Sequence, residues 1–184
     1  MFVNIIVAYN KNKGIGLNNT LPWKITSDLK KFKKLTTGIN NNNAVIMGKN
    51  TWLSLNNKSL KFRDNLILSS SLKIDKKDNN NNIIKSFENE VILKNFLIEK
   101  NYEEIWVIGG AKIYDLFLNK SNIFTVQNIY ITLVDINIEC DTFFPEINEN
   151  KYYFKSKSIH NIHNNINNID DIDIIYDIIY KNIN

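Results

Sequence analysis

The ten residues IWVIGGAKIY, from Ile105 to Tyr114, pass from strand to helix through two consecutive glycines. Ile105 to Ile108 is an apolar, β-favouring run too short for a helix of its own, and Gly109 and Gly110 end it at once. Ala111 to about Leu118 then reads as helix. The glycine pair has two readings. It is a tight strand-to-helix turn, or it is backbone that a phosphate or a flat ring can approach with no β-carbon in the way. The full G-x-G-x-x-G spacing of a dinucleotide fingerprint is absent.

The same alternation extends in both directions. Upstream, Phe2 to Tyr9 is a Val/Ile-rich strand followed by a polar loop, Asn10 to Asn19, that carries Gly14 and Gly16. After Pro22 and Trp23, Thr26 or Ser27 is placed to cap a helix to about Leu35. Ala44 to Met47 is a strand that enters a helix through Gly48, Lys49, Asn50 and Thr51. Leu66 to Leu68 is a strand ending in serines, and Ile83–Ile84 is a brief one before a helix from Glu88 to about Glu99. Downstream, Asn128 to Leu133 is a strand, and Tyr152 to Phe154 and Ile172 to Tyr180 form a late antiparallel pair around an Asn-rich turn. Strands alternating with helices and then two strands in succession predict a mostly parallel α/β sheet with an antiparallel C-terminal edge. Ligands in such sheets gather at the carboxyl ends of the strands. The loop after Tyr9, the Gly48 junction, the serines after Leu68 and the glycines after Ile108 all fall on that rim.

Composition narrows the function classes. The 184 residues, 43% hydrophobic and with a net charge of +4, suit one domain with a real core that attracts anions without specifying which. Lys30, Lys31, Lys33 and Lys34, interleaved with Phe32 and Leu35, read as the solvated face of an amphipathic helix in preference to a nucleic-acid stripe. Cys140 is alone, so internal disulfides and multi-cysteine metal sites are excluded. His160 and His163 sit in a low-complexity stretch without companion ligands, and no metal is expected. No apolar run is long enough to cross a bilayer and no targeting pattern opens the chain, so a cytoplasmic location and no membrane partner are expected.

Two side chains have chemistry to explain. Asp28, on the first turn of its helix and one turn before Phe32, is balanced between an acid that satisfies the helix dipole and a ligand anchor. As an anchor it can accept two parallel hydrogen bonds from a planar N–C–N edge. Arg63, between Leu60 and Leu66, can form a local salt bridge or hold a ligand carboxylate bidentately. Lys49 and Thr51 suit a phosphate, but no P-loop is present.

Five blocks taken together resemble the dihydrofolate reductase family. They are NKGIGLNNTLPWKITSD (residues 12–28), VIMGKNTWLS (45–54), RDNLILS (63–69), VIGGAKIY (107–114) and DTFFP (141–145), collinear from the first strand to Pro145. The resemblance implies a single domain over residues 1–184. Its fold would be three-layered, with a central eight-stranded, mostly parallel sheet, an antiparallel C-terminal edge and flanking helices. It implies NADPH-dependent reduction of 7,8-dihydrofolate to 5,6,7,8-tetrahydrofolate, by hydride transfer to pterin C6 with protonation at N5. Dihydrofolate and antifolate-type small molecules are the implied partners, with no nucleic acid required and a monomeric state.

Residue by residue, the resemblance assigns Asp28 to gripping the pterin, with Leu21, Trp23 and Thr132 completing the catalytic group. Ile6, Val7 and Ala8 would line the pterin pocket. Leu29, Phe32, Ser54 and Leu55 would flank the substrate's rings, Arg63 would hold its glutamate carboxylate, and Ile108 and Tyr114 would meet both ligands. For the cofactor it assigns Ala8, Ile15 and Gly16 from the first loop and Gly48, Lys49, Asn50 and Thr51 from the second junction. Leu68, Ser69 and Ser70 follow, and then Ile108, Gly109, Gly110, Ala111, Lys112, Ile113 and Tyr114. Lys49 and Ser70 bear on the 2′-phosphate. Ser59 stands where proline is common, and Phe62 stands at the usual glycine position before Arg63, where its bulk is expected to reshape the turn. The competing readings are a reductase of the same architecture acting on another pterin or a pyrimidine, and a non-enzymatic nucleotide-binding protein.

Overall fold

Apolar residues that alternate between two faces of one strand can feed two cores, and β1 (Phe2–Asn10) does so. Val3, Ile5, Val7 and Tyr9 point to one face and Ile6 to the other. The computed structural model describes residues 1–161 and 174–183, with backbone alone at 160, 161, 174 and 175. After β1 come β2 (Gly14–Gly16), α1 (Thr26–Thr37), β3 (Asn43–Gly48), α2 (Lys49–Ser54) and β4 (Asp64–Leu68). β5 (Asp75–Lys77), β6 (Ile83–Phe87), α3 (Glu90–Lys100) and β7 (Glu104–Val107) follow. The remainder is α4 (Ala111–Asp115) with a π-helical turn (Leu116–Lys120), β8 (Thr125–Val134), β9 (Thr142–Phe143), β10 (Tyr152–Asn161) and β11 (Ile174–Asn182).

The main sheet has the order β10-β11-β8-β1-β7-β3-β4-β6-β5. β8, β1, β7, β3, β4 and β6 are mutually parallel, while β11 and β5 run against their neighbours. α3 and α4 pack on one face, where Leu93, Leu97, Ile113 and Phe117 meet Ile5, Ile46 and Val107. α1 and α2 cover the other, where Trp52, Phe32 and Leu55 meet Val45, Met47 and Ile67. Both faces are therefore dry, which is why the parallel strands read as unbroken apolar runs. The chain leaves β1 toward β3 and later returns through β7 to place β8 on the other side of β1. A connection leaving in each direction opens a crevice at the carboxyl end of β1.

The α/β layering, the mostly parallel sheet and its antiparallel C-terminal edge match the expectation. The strand count does not, because Asp75–Lys77 adds a ninth, exposed strand beyond the eight expected, too polar and short to announce itself. The loop expected over residues 10–19 contains β2, which pairs with β9 from 126 residues away, a contact no local pattern predicts. Neither Thr26 nor Ser27 caps α1. The N-cap is Ile25, with no side-chain cap, because burial with Trp23, Val134 and Ile136 fixes that position instead. α3 starts at Glu90, after Asn89 accepts from the backbone N–H groups of Val91 and Ile92, both at 3.1 Å. The helix expected from Ala111 to Leu118 changes to π-helical hydrogen bonding after Asp115, and Ser121 N donates to Leu116 O at 2.7 Å. The Asn-rich turn between the last two strands, and His163 in it, lie outside the described residues. No described helix is long and apolar enough to cross a membrane.

Candidate active site

The crevice at the strand ends is a cleft of about 840 Å³. Ile6, Val7 and Ala8, in the carboxyl-terminal half of β1, form its floor. One wall is α1, which turns Asp28, Leu29 and Phe32 inward at helical spacing. The opposite wall is built by two strand-to-helix junctions. Gly48 leads into Lys49, Asn50 and Thr51, and Gly110 leads into Ala111, Lys112, Ile113 and Tyr114. The junctions are tied together, with Gly48 N donating to Gly109 O at 2.8 Å and Ile108 N to Ile46 O at 2.9 Å. Both glycines are needed for this closeness. A β-carbon on Gly48 would lie 2.8 Å from Ile113 Cγ1, and one on Gly109, at φ +101°, 2.7 Å from the Tyr114 ring. The Gly109–Gly110 peptide is cis. Tyr114 in turn donates its hydroxyl to Ile6 O at 2.9 Å, joining this junction to the floor.

Asp28 is half-buried on the cleft wall. Burial pushes its carboxyl above the usual range, while a hydrogen bond from Thr132 and the nearby Lys31 pull it back and Asp177 pushes it up. A carboxylate whose proton affinity is raised, on the same cleft wall as Phe32 and Leu29, can bind a polar N–C–N edge strongly because little water competes for it.

The far end of the cleft is polar. Lys49 Nζ donates to Ser71 Oγ at 3.1 Å, and Ser69 Oγ accepts from Leu72 N at 3.2 Å. Ser54, Leu55, Leu68, Ser69, Ser70 and Glu88 also line the cleft.

A loop between β1 and α1 covers the opening. Asn10 anchors its start, since its Oδ1 accepts from Asn12 N at 3.0 Å and Gly14 N at 2.8 Å and its Nδ2 donates to Ile138 O at 3.0 Å. Asp141 anchors its middle by accepting from Asn18 N at 2.8 Å. Leu17 and Thr20 close a small turn that presents Leu21, 46% exposed, above the cleft with Ile15 and Gly16.

Four residues of the predicted set do not line the cleft. Trp23, 3% exposed, packs with Ile25, Val134 and Ile136, and Thr132, 2% exposed, hydrogen-bonds Asp28. Gly109 lies behind Gly110 in the junction. Arg63 is 3% exposed, its guanidinium 5.6 Å from the Phe32 ring centroid, with one nitrogen donating to Thr36. It pairs with no acid among the described residues, its Nε is buried without a partner, and burial lowers its pKa to about 10. Phe62 beside it adopts the left-handed conformation at φ +65°, as a glycine would, with its ring outside under Lys33. Asn19, Thr20, Leu60, Glu88 and Thr142 line the cleft and were not anticipated. Asn19 and Thr20 adjoin Leu21 in sequence and were within reach, whereas Thr142 arrives only through the β2–β9 pairing. No cluster of three metal-ligating side chains occurs among the described residues.

A family model for dihydrofolate reductase matches residues 2–176. The dihydrofolate reductase of Buchnera aphidicola subsp. Acyrthosiphon pisum (strain APS) is 37% identical over 169 residues, covering 88% of this chain and 91% of its own length. That of Rattus norvegicus is 33% identical over 157 residues, 82% of each chain. The bifunctional dihydrofolate reductase-thymidylate synthase 2 of Arabidopsis thaliana is 36% identical over 155 residues, which are 80% of this chain and 27% of that protein.

Proposed function

The chain belongs to the dihydrofolate reductase family, and on that premise we propose that one domain catalyses hydride transfer to C6 of 7,8-dihydrofolate and protonation of N5, using NADPH. The observation that carries the assignment is Asp28 on the wall of an apolar cleft, backed by Thr132 and flanked by Phe32. A 2-amino-4-oxo pteridine presents the paired N–H donors such a carboxylate accepts. Arg63 supports the folate class in particular. A buried guanidinium with no acid beside it among the described residues matches a ligand that brings a carboxylate, which a pyrimidine lacking a glutamate tail does not.

The donor set at the other end suits a phosphorylated dinucleotide. Lys49 supplies a cation, Thr51, Ser69 and Ser70 supply hydroxyls, and the Gly110 junction leaves flat backbone for a ring. NADPH, held along these residues, supplies the hydride. The chain's own residues do the rest. Asp28 orients the pterin and favours the charge distribution in which N5 gains its proton. Ile6, Ala8 and Phe32 hold the ring flat, so that donor and acceptor meet at near contact. Leu21 closes over the reacting edge and excludes bulk water, and because Asp28 grips the opposite edge of the ring, a single water admitted near Leu21 delivers the proton.

The test is an absorbance assay of NADPH oxidation with dihydrofolate at pH 7, comparing wild type with Asp28→Asn. The variant is expected to lose at least about a hundredfold in kcat/KM. Unchanged turnover would remove the role given to Asp28. Folded protein that binds NADPH but turns over no pterin would favour a non-enzymatic nucleotide-binding protein.

A further inference from the structure

The four lysines of α1 were expected on one solvated face, and Lys30, Lys33 and Lys34 are there. Lys31 is not. Its side chain is 25% exposed and reaches back to the sheet, where Nζ lies 3.2 Å from Thr132 Oγ1 and forms an ion pair with Asp177. Thr132 of β8 and Asp177 of β11 sit opposite each other in the antiparallel ladder, so the ammonium bridges a cross-strand pair.

The chemistry of the three groups fixes the direction of the hydrogen bonds. An ammonium has three N–H donors and no lone pair, so the Thr132 hydroxyl is the acceptor from Lys31. Its own proton is then free to be donated onward, and Asp28 is the group that takes it. Positive charge is thereby pointed at Asp28 through one hydroxyl.

We propose that Lys31 is a positioning residue that, steadied by Asp177 and acting through Thr132, sets the proton affinity of Asp28. The proposal rests on the reading of Asp28 as the carboxylate that grips substrate. Among the described residues, the titratable groups acting on Asp28 are Lys31 on its own helix, Asp177 on β11 and Tyr114 on α4. Tyr114 is held neutral by complete burial and its bond to Ile6 O, and Asp177 works against Lys31. Lys31 is the cation that offsets burial, keeping Asp28 ionised where substrate must be bound.

The test follows the ¹³C carboxyl resonance of Asp28 through a pH titration of the ligand-free protein, assigned by its loss in Asp28→Asn. Lys31→Met and Lys31→Gln are expected to raise the Asp28 midpoint by about one pH unit, the effect of losing a nearby opposite charge. Lys31→Arg is expected to restore it to within a few tenths. Glutamine still donates to Thr132 without a charge, so a wild-type midpoint in Lys31→Gln would overturn the proposal even if the methionine variant fails to fold. An unmoved midpoint in Lys31→Met, or no restoration by arginine, would overturn it as well. The acid limb of the kcat/KM profile should move with the midpoint. A carboxyl that shifts while the profile stays put would refute Asp28's role in gripping substrate and leave the Lys31 effect standing.

Discussion

Arg63 holds a charge in a place that offers it, among the described residues, one hydroxyl, one aromatic face and no anion. Its pKa, lowered to about 10 from 12.5, has a definite sign in stability. Below pH 10 the guanidinium is charged in both the folded and unfolded chains, so the whole burial penalty is present, and it is relieved only as pH rises from about 10 toward 12.5. Arg63→Met is therefore expected to raise Tm at pH 7. The same variant should raise KM for dihydrofolate about ten- to a hundredfold, the loss expected for a charge-assisted pair. A pterin substrate without a glutamate tail should show the same KM in both proteins. A matching loss on that tail-free substrate would mean that Arg63 acts by shaping the pocket around Phe32.

Among the elements, the loop between β1 and α1 depends on the short β2–β9 pair and on Asp141. Hydrogen bonds from Asn18 N and Thr142 hold the Asp141 carboxyl below its ordinary range. The anchor is accordingly intact above the ordinary carboxylate range and is lost only as pH falls through the depressed value. Asp141→Ala should lower kcat/KM about fivefold with little change in Tm, measured by steady-state assay and thermal melting. A variant of unchanged kcat/KM would show that the loop closes without this tether. This region also marks the limit of what the chain reveals locally. The strand ends at Gly48, Leu68 and Ile108 were legible because apolar runs stop at glycine or serine, and parallel topology then makes the site nearly automatic. Asp28 was legible as a candidate, but its neighbours Thr132 and Asp177 come from 104 and 149 residues away, and no periodicity carries that information. Lys31 was misplaced because three of the four clustered lysines do face water, and the fourth is turned inward by a strand far along the chain. The N-cap of α1 escaped because a buried isoleucine overrode the better capping residues beside it.

For the whole molecule, ligand binding and folding are one equilibrium. At a concentration of about a hundred times its Kd, a ligand that binds only the folded chain adds about 2.7 kcal/mol. For a protein of this size that corresponds to a rise in Tm of roughly 5–10 °C. NADPH is expected to give such a shift, and NADH at the same concentration a clearly smaller one, because Lys49 and Ser70 would then lack the 2′-phosphate. Equal shifts would discard that role for both residues. The order of strands also has a consequence in time. β11 is inserted between β8 and β10, and among the described strands β10 joins the sheet through it alone. Synthesis from the end of β8 to the end of β11 takes roughly a few seconds at ordinary ribosome speed. Throughout that interval the ten-residue β8 presents a bare backbone edge, and the growing polypeptide is at its most adhesive. β11, the last of the described strands, both seals that edge and delivers Asp177 to Lys31, so the step that makes the nascent chain safe from its neighbours also completes the Lys31–Asp177 pair.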